Sequence, residues 1–368
     1  MIRNILIGWF GTFLQLFLRL SWGVISLPIA TLLHLNPVQM GLVITAFYIG
    51  YVSSSIPWGL IIDKIGPQKA ILISAIILIP LNLLLFFLIN SYTLLLIIYL
   101  IEGLVAASIF PSAMKIVSTS SSLTFHVALV ESAGPITILL LSLAATTLLN
   151  QWRLTYLFIA IGFTILAIFN AKTNLSTKPN DIRKSFKVIL NKKIALATII
   201  RLGELWSTWG TTTWIFPMLV LYRHIPATLS AIFLLLFSIG QLVGIISIER
   251  LVNLVGERKI ILINLIGFII TSLVITRSNV ILPEAFILGI FSFSYRPPTD
   301  SLIMKIAGNS SAATSIGYAN AISQIGTIIA PSIVGLTLYL TNSFTLAMLA
   351  LDLGCIISII SVSILGFS

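Results

Sequence analysis

Residues 59–69 read Gly59-Leu60-Ile61-Ile62-Asp63-Lys64-Ile65-Gly66-Pro67-Gln68-Lys69, and residues 249–259 read Glu249-Arg250-Leu251-Val252-Asn253-Leu254-Val255-Gly256-Glu257-Arg258-Lys259. The two stretches align position by position, which matches Gly66 with Gly256 and Lys69 with Lys259 and sets Asp63 against Asn253. Each stretch lies between two long apolar runs. A charged loop with a glycine that recurs once in each half of the chain indicates an internal repeat.

The composition excludes a water-soluble protein. Hydrophobic residues make up 58% of the 368 residues, charged residues make up 8%, and the mean hydropathy is +1.11. Soluble domains carry about 25% charged residues. Because so few charges cannot cover a surface that faces water, we expect an all-α polytopic membrane protein. Each of its helices needs about 20 apolar residues to cross the bilayer.

Apolar runs of spanning length predict twelve transmembrane helices, named spans 1–12. With bounds good to about 2–4 residues, the spans cover roughly 5–33, 38–62, 69–90, 92–115, 124–149, 153–170, 194–222, 227–248, 259–276, 280–304, 311–340 and 343–366. A polar stretch separates spans 6 and 7. We therefore predict an N-terminal six-helix bundle at 1–170, a cytoplasmic linker at 171–193 and a C-terminal six-helix bundle at 194–368. Apolar residues recur at helical spacing in 181–190, so a short amphipathic helix and a flexible linker are both open there.

The basic side chains are distributed unevenly between the two sides of the membrane. With the N-terminus inside, only Arg153, Arg223 and Arg277 of the 21 Lys and Arg residues fall on the outer side. This asymmetry follows the positive-inside rule and predicts that both termini are cytoplasmic. The net charge of +11 then reflects membrane topology, and its dispersal over short loops argues against nucleic-acid binding. We expect a multi-pass protein of the cell membrane.

No residue pattern indicates catalysis or metal binding. Cys355 is the single cysteine and lies in an apolar run, so neither a disulfide nor a thiolate metal site is expected. The His and carboxylate residues lack metal-ligand spacing, and neither a phosphate-binding glycine loop nor a nucleophile motif is present. We expect no enzyme activity, no catalytic residue, no metal and no cofactor.

Eight ionisable residues are candidates for charges at membrane depth. A charge at that depth costs at least about 2.5–3.5 kcal/mol on insertion scales, so such residues are usually functional. They are Arg19, Glu102, Glu131, Arg201, Glu204, Arg296, Asp300 and Asp352. Arg19 and Glu102 can form a structural ion pair, or one can bind substrate while the other takes a proton. Asp352 has no evident partner in the sequence.

The charges on spans 7 and 10 also have a local interpretation. Arg201 and Glu204 lie three residues apart on one helix face and can pair with each other. Arg296 and Asp300 lie four residues apart, with the same alternative. Pro297-Pro298 between them removes two backbone donors and predicts a kink beside a charge, which suits a gate.

Span 7 also carries clustered aromatic residues. Trp206 and Trp209 are three residues apart and are flanked by threonines. Aromatic and hydroxyl groups at the middle of a membrane suit an organic substrate, which makes both residues candidate cavity aromatics. Core or lipid packing of the same residues is the open alternative.

The chain resembles the major facilitator superfamily. The family's loop between helices 2 and 3 follows roughly G-x-x-x-D-[RK]-x-G-[RK]-[RK]. This chain supplies Gly59, Asp63, Lys64 and Gly66, with Lys69 at the end of the loop. The resemblance implies the fold of that family, with twelve transmembrane helices in two pseudo-symmetric six-helix bundles. It also implies that spans 1, 4, 7 and 10, which carry six of the eight charges, line a central cavity.

The resemblance further implies a cytoplasmic gate. Its expected residues are Gly59, Asp63, Lys64, Gly66, Lys69, Glu131, Asn253, Gly256, Arg258 and Lys259. Asp63 is expected to lock the outward-open state through basic neighbours and through the positive N-terminal end of span 11 near Ser311. Glu131 is placed with Asp63 and Lys69. Because Asn253 lacks the charge of Asp63, the lock is expected to be asymmetric.

Two departures from the family's patterns count against a proton-driven drug antiporter. Tyr99 stands where the family's helix 4 motif has an arginine, and Gly134-Pro135 is not followed by the further glycines of drug antiporters. Pro67 and Gln68 also replace the basic residues at their places in the loop motif.

We therefore predict a secondary active transporter that moves a small solute by alternating access. Three intramembrane arginines favour an organic or inorganic anion, and the buried carboxylates favour proton-coupled symport. Two alternatives stay open: proton-coupled efflux of drugs or lipophilic cations through Glu102, Glu131 and Asp300, and a non-transporting membrane receptor on the same scaffold. The expected partners are a small-molecule substrate, protons and the lipid bilayer, and the expected oligomeric state is a monomer.

Overall fold

The structure is a computed structural model that describes residues 2–35, 37–171, 190–278 and 280–367. Within these ranges the secondary structure is helical and no β-strand occurs. The α-helices are α1 (Ile2–Leu20), α2 (Trp22–Leu33), α3 (Pro37–Ile65), α4 (Pro67–Leu88), α5 (Tyr92–Ala106), α6 (Ile109–Val117), α7 (Leu123–Glu131), α8 (Ala133–Asn150), α9 (Arg153–Ala171), α10 (Lys192–Leu221), α11 (Ala227–Val255), α12 (Glu257–Arg277), α13 (Ile281–Phe293), α14 (Arg296–Ala307), α15 (Ala312–Thr341) and α16 (Phe344–Phe367). A short 3₁₀ helix, Asn309–Ser311, precedes α15.

Nine helical segments of the described chain are long and apolar enough to cross a membrane. They correspond to the predicted spans 2–6, 8, 9, 11 and 12. The predicted spans 1, 7 and 10 are also helical, as α1–α2, α10 and α13–α14. These three spans carry Arg19, Arg201, Glu204, Arg296 and Asp300.

Four of the predicted spans are interrupted helices. The interruptions lie at Ser21 in span 1, 107–108 in span 4, Ser132 in span 5 and 294–295 in span 10. The last break has a direct cause in the sequence, because Pro297 and Pro298 have no N–H to donate to the carbonyls four residues before them. The helix that was expected to kink here therefore ends at Phe293 and restarts at Arg296.

The two copies of the charged loop have the same backbone conformation. Gly66 has φ 91° and ψ 153°, and Gly256 has φ 87° and ψ 155°. This region of backbone space is almost restricted to glycine. Each glycine ends one long helix and begins the next, between α3 and α4 and between α11 and α12. The sequence repeat is therefore also a structural repeat.

The chain forms two compact units. Unit 1 comprises residues 1–120, 136–189 and 307–321, and unit 2 comprises residues 121–135, 190–306 and 322–368. In unit 1, α3 packs against α5 and α4 packs against α9. In unit 2, α11 packs against α13 and α12 packs against α16, which repeats the same pairing of helices.

Glycines allow the paired helices to approach closely in both units. A Cβ atom on Gly103 would overlap the carbonyl oxygen of Phe47, and a Cβ atom on Gly289 would overlap that of Phe237. Small residues at such crossings let helix backbones touch within a membrane. The repeat partners Gly103 and Gly289 therefore occupy equivalent packing positions.

The outer faces of both units are apolar. Phe87 in unit 1 is 65% exposed, and Ile246 in unit 2 is 71% exposed. Charged side chains such as Arg201 and Glu102 are buried instead. This inversion of the usual pattern of a soluble protein suits a protein whose surface is covered by lipid.

The compact units differ from the predicted bundles at two segments. Residues 121–135 group with unit 2, since α7 packs against α11, and residues 307–321 group with unit 1, since Thr314 bonds to Asp63. The predicted linker lies mostly outside the described residues, as does the candidate amphipathic helix at 181–190. The predicted bundle boundaries thus stay a prediction.

Candidate functional site

Asp63 lies at the centre of a buried polar cluster in unit 1. Its Oδ1 atom is 2.9 Å from Nζ of Lys115. Its Oδ2 atom accepts hydrogen bonds from the backbone N–H of Thr314 at 3.0 Å and from Oγ1 of Thr314 at 2.5 Å. Thr314 lies in the first turn of α15, where free N–H groups and the helix dipole favour a carboxylate. The expected contact between Asp63 and the start of span 11 is present.

The cation of this cluster differs from the one expected. Lys64 and Lys69, the basic neighbours in the loop, are exposed, whereas Lys115 arrives from α6 and also donates to the carbonyl oxygen of Asn309. No sequence motif indicated Lys115 as a gate residue. One feature of the sequence could have indicated Lys115. Lys305 follows Lys115 by the same number of residues by which Gly256 follows Gly66.

Gly59 makes the contact with α15 sterically possible. A Cβ atom on Gly59 would lie 2.8 Å from the Cα atom of Thr314. That distance is far inside van der Waals contact, so a larger residue at position 59 would push α3 away from α15. The first glycine of the motif thus positions Asp63.

The second copy of the loop is more exposed than the first. Asn253, Gly256, Arg258 and Lys259 all lie at the surface of unit 2. The loss of charge from Asp63 to Asn253 is therefore accompanied by a loss of burial.

Glu131, which is expected beside Asp63 and Lys69 in the gate, lies in unit 2. Its place in the gate stays a prediction. Its Oε1 atom is 3.2 Å from Nη2 of Arg296. Both side chains are buried. The reason is the packing of α7 against α11, which places the end of α7 among the helices of unit 2.

Arg201 forms the second buried ion pair of unit 2. Its Nε atom is 2.6 Å from Oδ1 of Asp300, and its Nη1 atom donates to Oγ of Ser323 at 2.5 Å. The local pairings considered for spans 7 and 10 are therefore not formed. Arg296 and Asp300 each reach a different neighbouring helix, which connects α14 to α7 and to α10.

Glu204 is fully buried one turn beyond Arg201. Its Oε1 atom accepts a hydrogen bond from Oγ1 of Thr299 at 2.5 Å. The hydroxyl of Tyr295 donates to the main-chain oxygen of Glu204 at 3.3 Å. Thr299 and Tyr295 were not selected from the sequence, because hydroxyl residues at these positions carry no distinguishing pattern.

Arg19 and Glu102 are both buried in unit 1, but they do not form the ion pair that was considered for them. Neither carboxylate oxygen of Glu102 has a hydrogen-bond partner in the described part of the chain, and Glu102 is 0% exposed. The guanidinium carbon of Arg19 lies 5.8 Å from the ring centre of Tyr48, at the distance of a cation–π interaction.

The family model described as Major Facilitator Superfamily matches residues 8–331. The chain belongs to the Major Facilitator Superfamily. Its structure is also similar to crystal structures of FucP. One, described as a Major Facilitator Superfamily transporter in the outward conformation, has a TM-score of 0.80 at 15% identity and covers 98% of both chains. Another, described as a variant of the E. coli fucose:proton symporter FucP, has a TM-score of 0.81 at 15% identity and covers 99% of this chain and 98% of that one.

Membership in this superfamily of transporters confirms several of the predictions made from the sequence. The chain is a multi-pass membrane transporter with the superfamily's fold, and secondary transport is its general activity. At 15% identity, the solved structures establish the fold of this chain and leave its substrate and site residues to its own geometry.

The tryptophans of this transporter take part in helix packing. Nε1 of Trp206 donates to the carbonyl oxygen of Ala350 at 2.9 Å, and the residue joins α10 to α16. Trp209 lies edge-on to Phe293, with 6.4 Å between ring centres. For Trp206 the observed contact is a packing contact, and its role as a cavity aromatic stays a prediction.

Asp352 has a partner that the sequence did not reveal. Both of its carboxylate oxygens lie within hydrogen-bond distance of Oγ of Ser272, at 2.7 and 2.8 Å. This contact joins α16 to α12 inside unit 2.

Proposed function

We propose that this protein is a proton-coupled secondary transporter of a small solute, located in the cell membrane with both termini cytoplasmic. The observation that carries the coupling is the complete burial of Glu102 without a hydrogen-bond partner among the described residues. An ionised carboxylate buried without a counter-charge is costly, and binding of a proton removes that charge. A group that must change its charge as its surroundings change is suited to couple protons to transport.

The fold supports this proposal at a general level. The solved relative described as a fucose:proton symporter shows that the same fold can move a solute together with protons. Alternating access accounts for such coupling if proton binding and solute binding both favour the same conformational change.

We infer that the solute is an anion bound by Arg19. A buried arginine offers a planar set of donors that can hold a carboxylate or phosphate through two parallel hydrogen bonds. Arg19 is 6% exposed and lies in the last turn of α1, immediately before the break at Ser21.

A neutral polar solute is the second candidate. Two of the three intramembrane arginines already have carboxylate partners, since Arg201 pairs with Asp300 and Arg296 pairs with Glu131. Their charges are neutralised inside unit 2, which leaves less positive charge there to attract an anion. The hydroxyl and carboxylate groups around Glu204 and Thr299 would suit a solute with several hydroxyl groups.

The Asp63 cluster is proposed as the cytoplasmic lock of the transporter. It combines an ion pair and a helix N-terminus on one buried carboxylate. Such a contact can hold one conformation because it is lost when α15 moves away from α3. Gly59, Gly66 and Lys115 are proposed to act with Asp63, while Lys64 and Lys69 contribute surface charge.

Two measurements, made one after the other, test the proposed function. A thermal-shift screen of the purified protein against anions, sugars and lipophilic cations identifies the ligand, since a true ligand raises the melting temperature by mass action. Proteoliposomes with an inward proton gradient should then accumulate that ligand, and a protonophore should abolish the accumulation. Uptake that ignores the gradient would contradict proton coupling.

Substitution of Arg19 separates the two solute candidates. Arg19→Ala should abolish binding of an anion, and Arg19→Lys should retain the charge but weaken binding through loss of the bidentate geometry. Arg153→Ala, at an exposed arginine at the start of α9, is the matched control and should bind normally. Normal binding by Arg19→Ala would favour the neutral solute.

A further inference from the structure

The second copy of the loop contains a carboxylate four residues beyond the position that matches Asp63. Glu257 follows Gly256 directly and occupies the place of Pro67 in the first copy. It is the first residue of α12, so its charge also lies near the positive end of that helix. Asn253, which aligns with Asp63, is exposed.

Glu257 contacts two side chains from other helices of unit 2. Nζ of Lys305, at the end of α14, lies 2.6 Å from Oε1 of Glu257. Oγ1 of Thr124, at the start of α7, donates to the same oxygen at 3.5 Å. The Glu257 side chain is 14% exposed, and the Lys305 side chain is 52% exposed.

These two partners lie at places equivalent to those of the partners of Asp63. Lys115 and Lys305 each lie in the last turn of their helix, and Thr124 and Thr314 each lie in the first turn of theirs. Lys305 follows Lys115 by the same number of residues by which Gly256 follows Gly66, and Thr314 follows Thr124 by that number as well. Asp63 therefore contacts a lysine and a threonine, and Glu257 contacts the matching lysine and the matching threonine. An incidental surface ion pair would have no reason to select both counterparts.

We propose that Glu257 is the gate carboxylate of the second half, displaced by four residues from the position now held by Asn253. The proposal rests on the proposed function, because a gate has meaning only in a transporter that alternates between states. Because Asn253 has no charge at the position that matches Asp63, Glu257 supplies the carboxylate that the second copy would otherwise lack. The two halves then have locks of different strength, but each lock joins a carboxylate to a lysine and a threonine.

The second lock is weaker than the first because it is more exposed. Exposed ion pairs contribute little, and removal of one corresponds to a change of about two- to fivefold in an equilibrium constant. The longer distance from Thr124 adds little to that effect, since 3.5 Å is at the limit of a hydrogen bond. High salt should weaken this lock more than the buried Asp63 cluster.

Cysteine labelling tests the proposal without substrate or proton gradient. In a Cys355→Ala background, Ser311→Cys provides a buried reporter in unit 1, and a membrane-impermeant thiol reagent reports how often it is exposed. Glu257→Gln should raise labelling from the cytoplasmic side about two- to fivefold.

Two further variants separate the lock from a helix-dipole effect. Lys305→Gln leaves Glu257 at the start of α12 and should raise labelling as much as Glu257→Gln does, and the double variant should add nothing further. Glu249→Gln removes an equal charge near the end of α11 and should leave labelling unchanged, because Glu249 forms no ion pair within the described residues.

Three results would overturn the proposal: no change in Glu257→Gln, an equal change in Glu249→Gln, or no change in Lys305→Gln. A failure of proton-coupled uptake would contradict the proposed function but would leave these labelling results as they stand. The two failures are therefore distinguishable.

Discussion

Asp63→Asn keeps the shape of the side chain and removes its charge. In the structure, that charge faces Lys115 at 2.9 Å and two donors of Thr314 at 3.0 and 2.5 Å. Removal of one partner of a buried ion pair costs about 3–5 kcal/mol, because the other charge stays buried. Lys115 is 12% exposed and keeps some hydration, so we expect the lower end, about 3 kcal/mol. The locked state should lose about a hundredfold in relative population.

The same labelling assay measures this shift. Asp63→Asn should expose Ser311→Cys to cytoplasmic reagent, since the lock that holds the start of α15 is lost. Lys64→Gln is the matched control, because it removes an exposed charge from the adjacent position. The double variant Asp63→Asn with Lys115→Gln should shift less than the sum of the two single variants, since it leaves no unpaired lysine. Unchanged accessibility in Asp63→Asn would refute the assignment of Asp63 as a residue that determines the state.

Three other substitutions test separate parts of the structure. Glu102→Gln should still bind and exchange solute but should fail in gradient-driven uptake, because a buried amide cannot carry a proton; gradient-driven uptake at the normal rate would refute this. Asp352→Asn should keep the hydrogen bond to Ser272, whereas Asp352→Ala should lower stability by about 1–3 kcal/mol, as thermal denaturation in detergent would show. Gly256→Ala meets no neighbour within 4 Å, so a loss of about 1–3 kcal/mol there would measure backbone strain alone, and an unchanged melting temperature would contradict the strain.

The candidate site was predicted in part. The sequence selected the eight intramembrane charges, and all eight are buried. Through the family's motif, it also predicted that Asp63 contacts the start of span 11, and the hydrogen bonds from Thr314 to Asp63 agree with that prediction. It did not predict that Lys115 pairs with Asp63 or that Glu257 pairs with Lys305. The partners in each pair lie on different helices, and spacing within one helix carries no information about them.

By itself, the sequence determined that this chain is an all-helical membrane protein with an internal repeat. That result needs only local information. The composition shows that the surface faces lipid, the apolar runs indicate the helices, and the recurring glycine marks each loop. In the structure both glycines have φ near 90°. The tertiary structure decided which charges pair. Arg201 could have paired with Glu204 on its own helix, but the packing of α10 beside α14 brings Asp300 to 2.6 Å instead. A side chain on a helix can reach a residue one turn away or a residue on the adjacent helix, and only the packing of the helices selects between them.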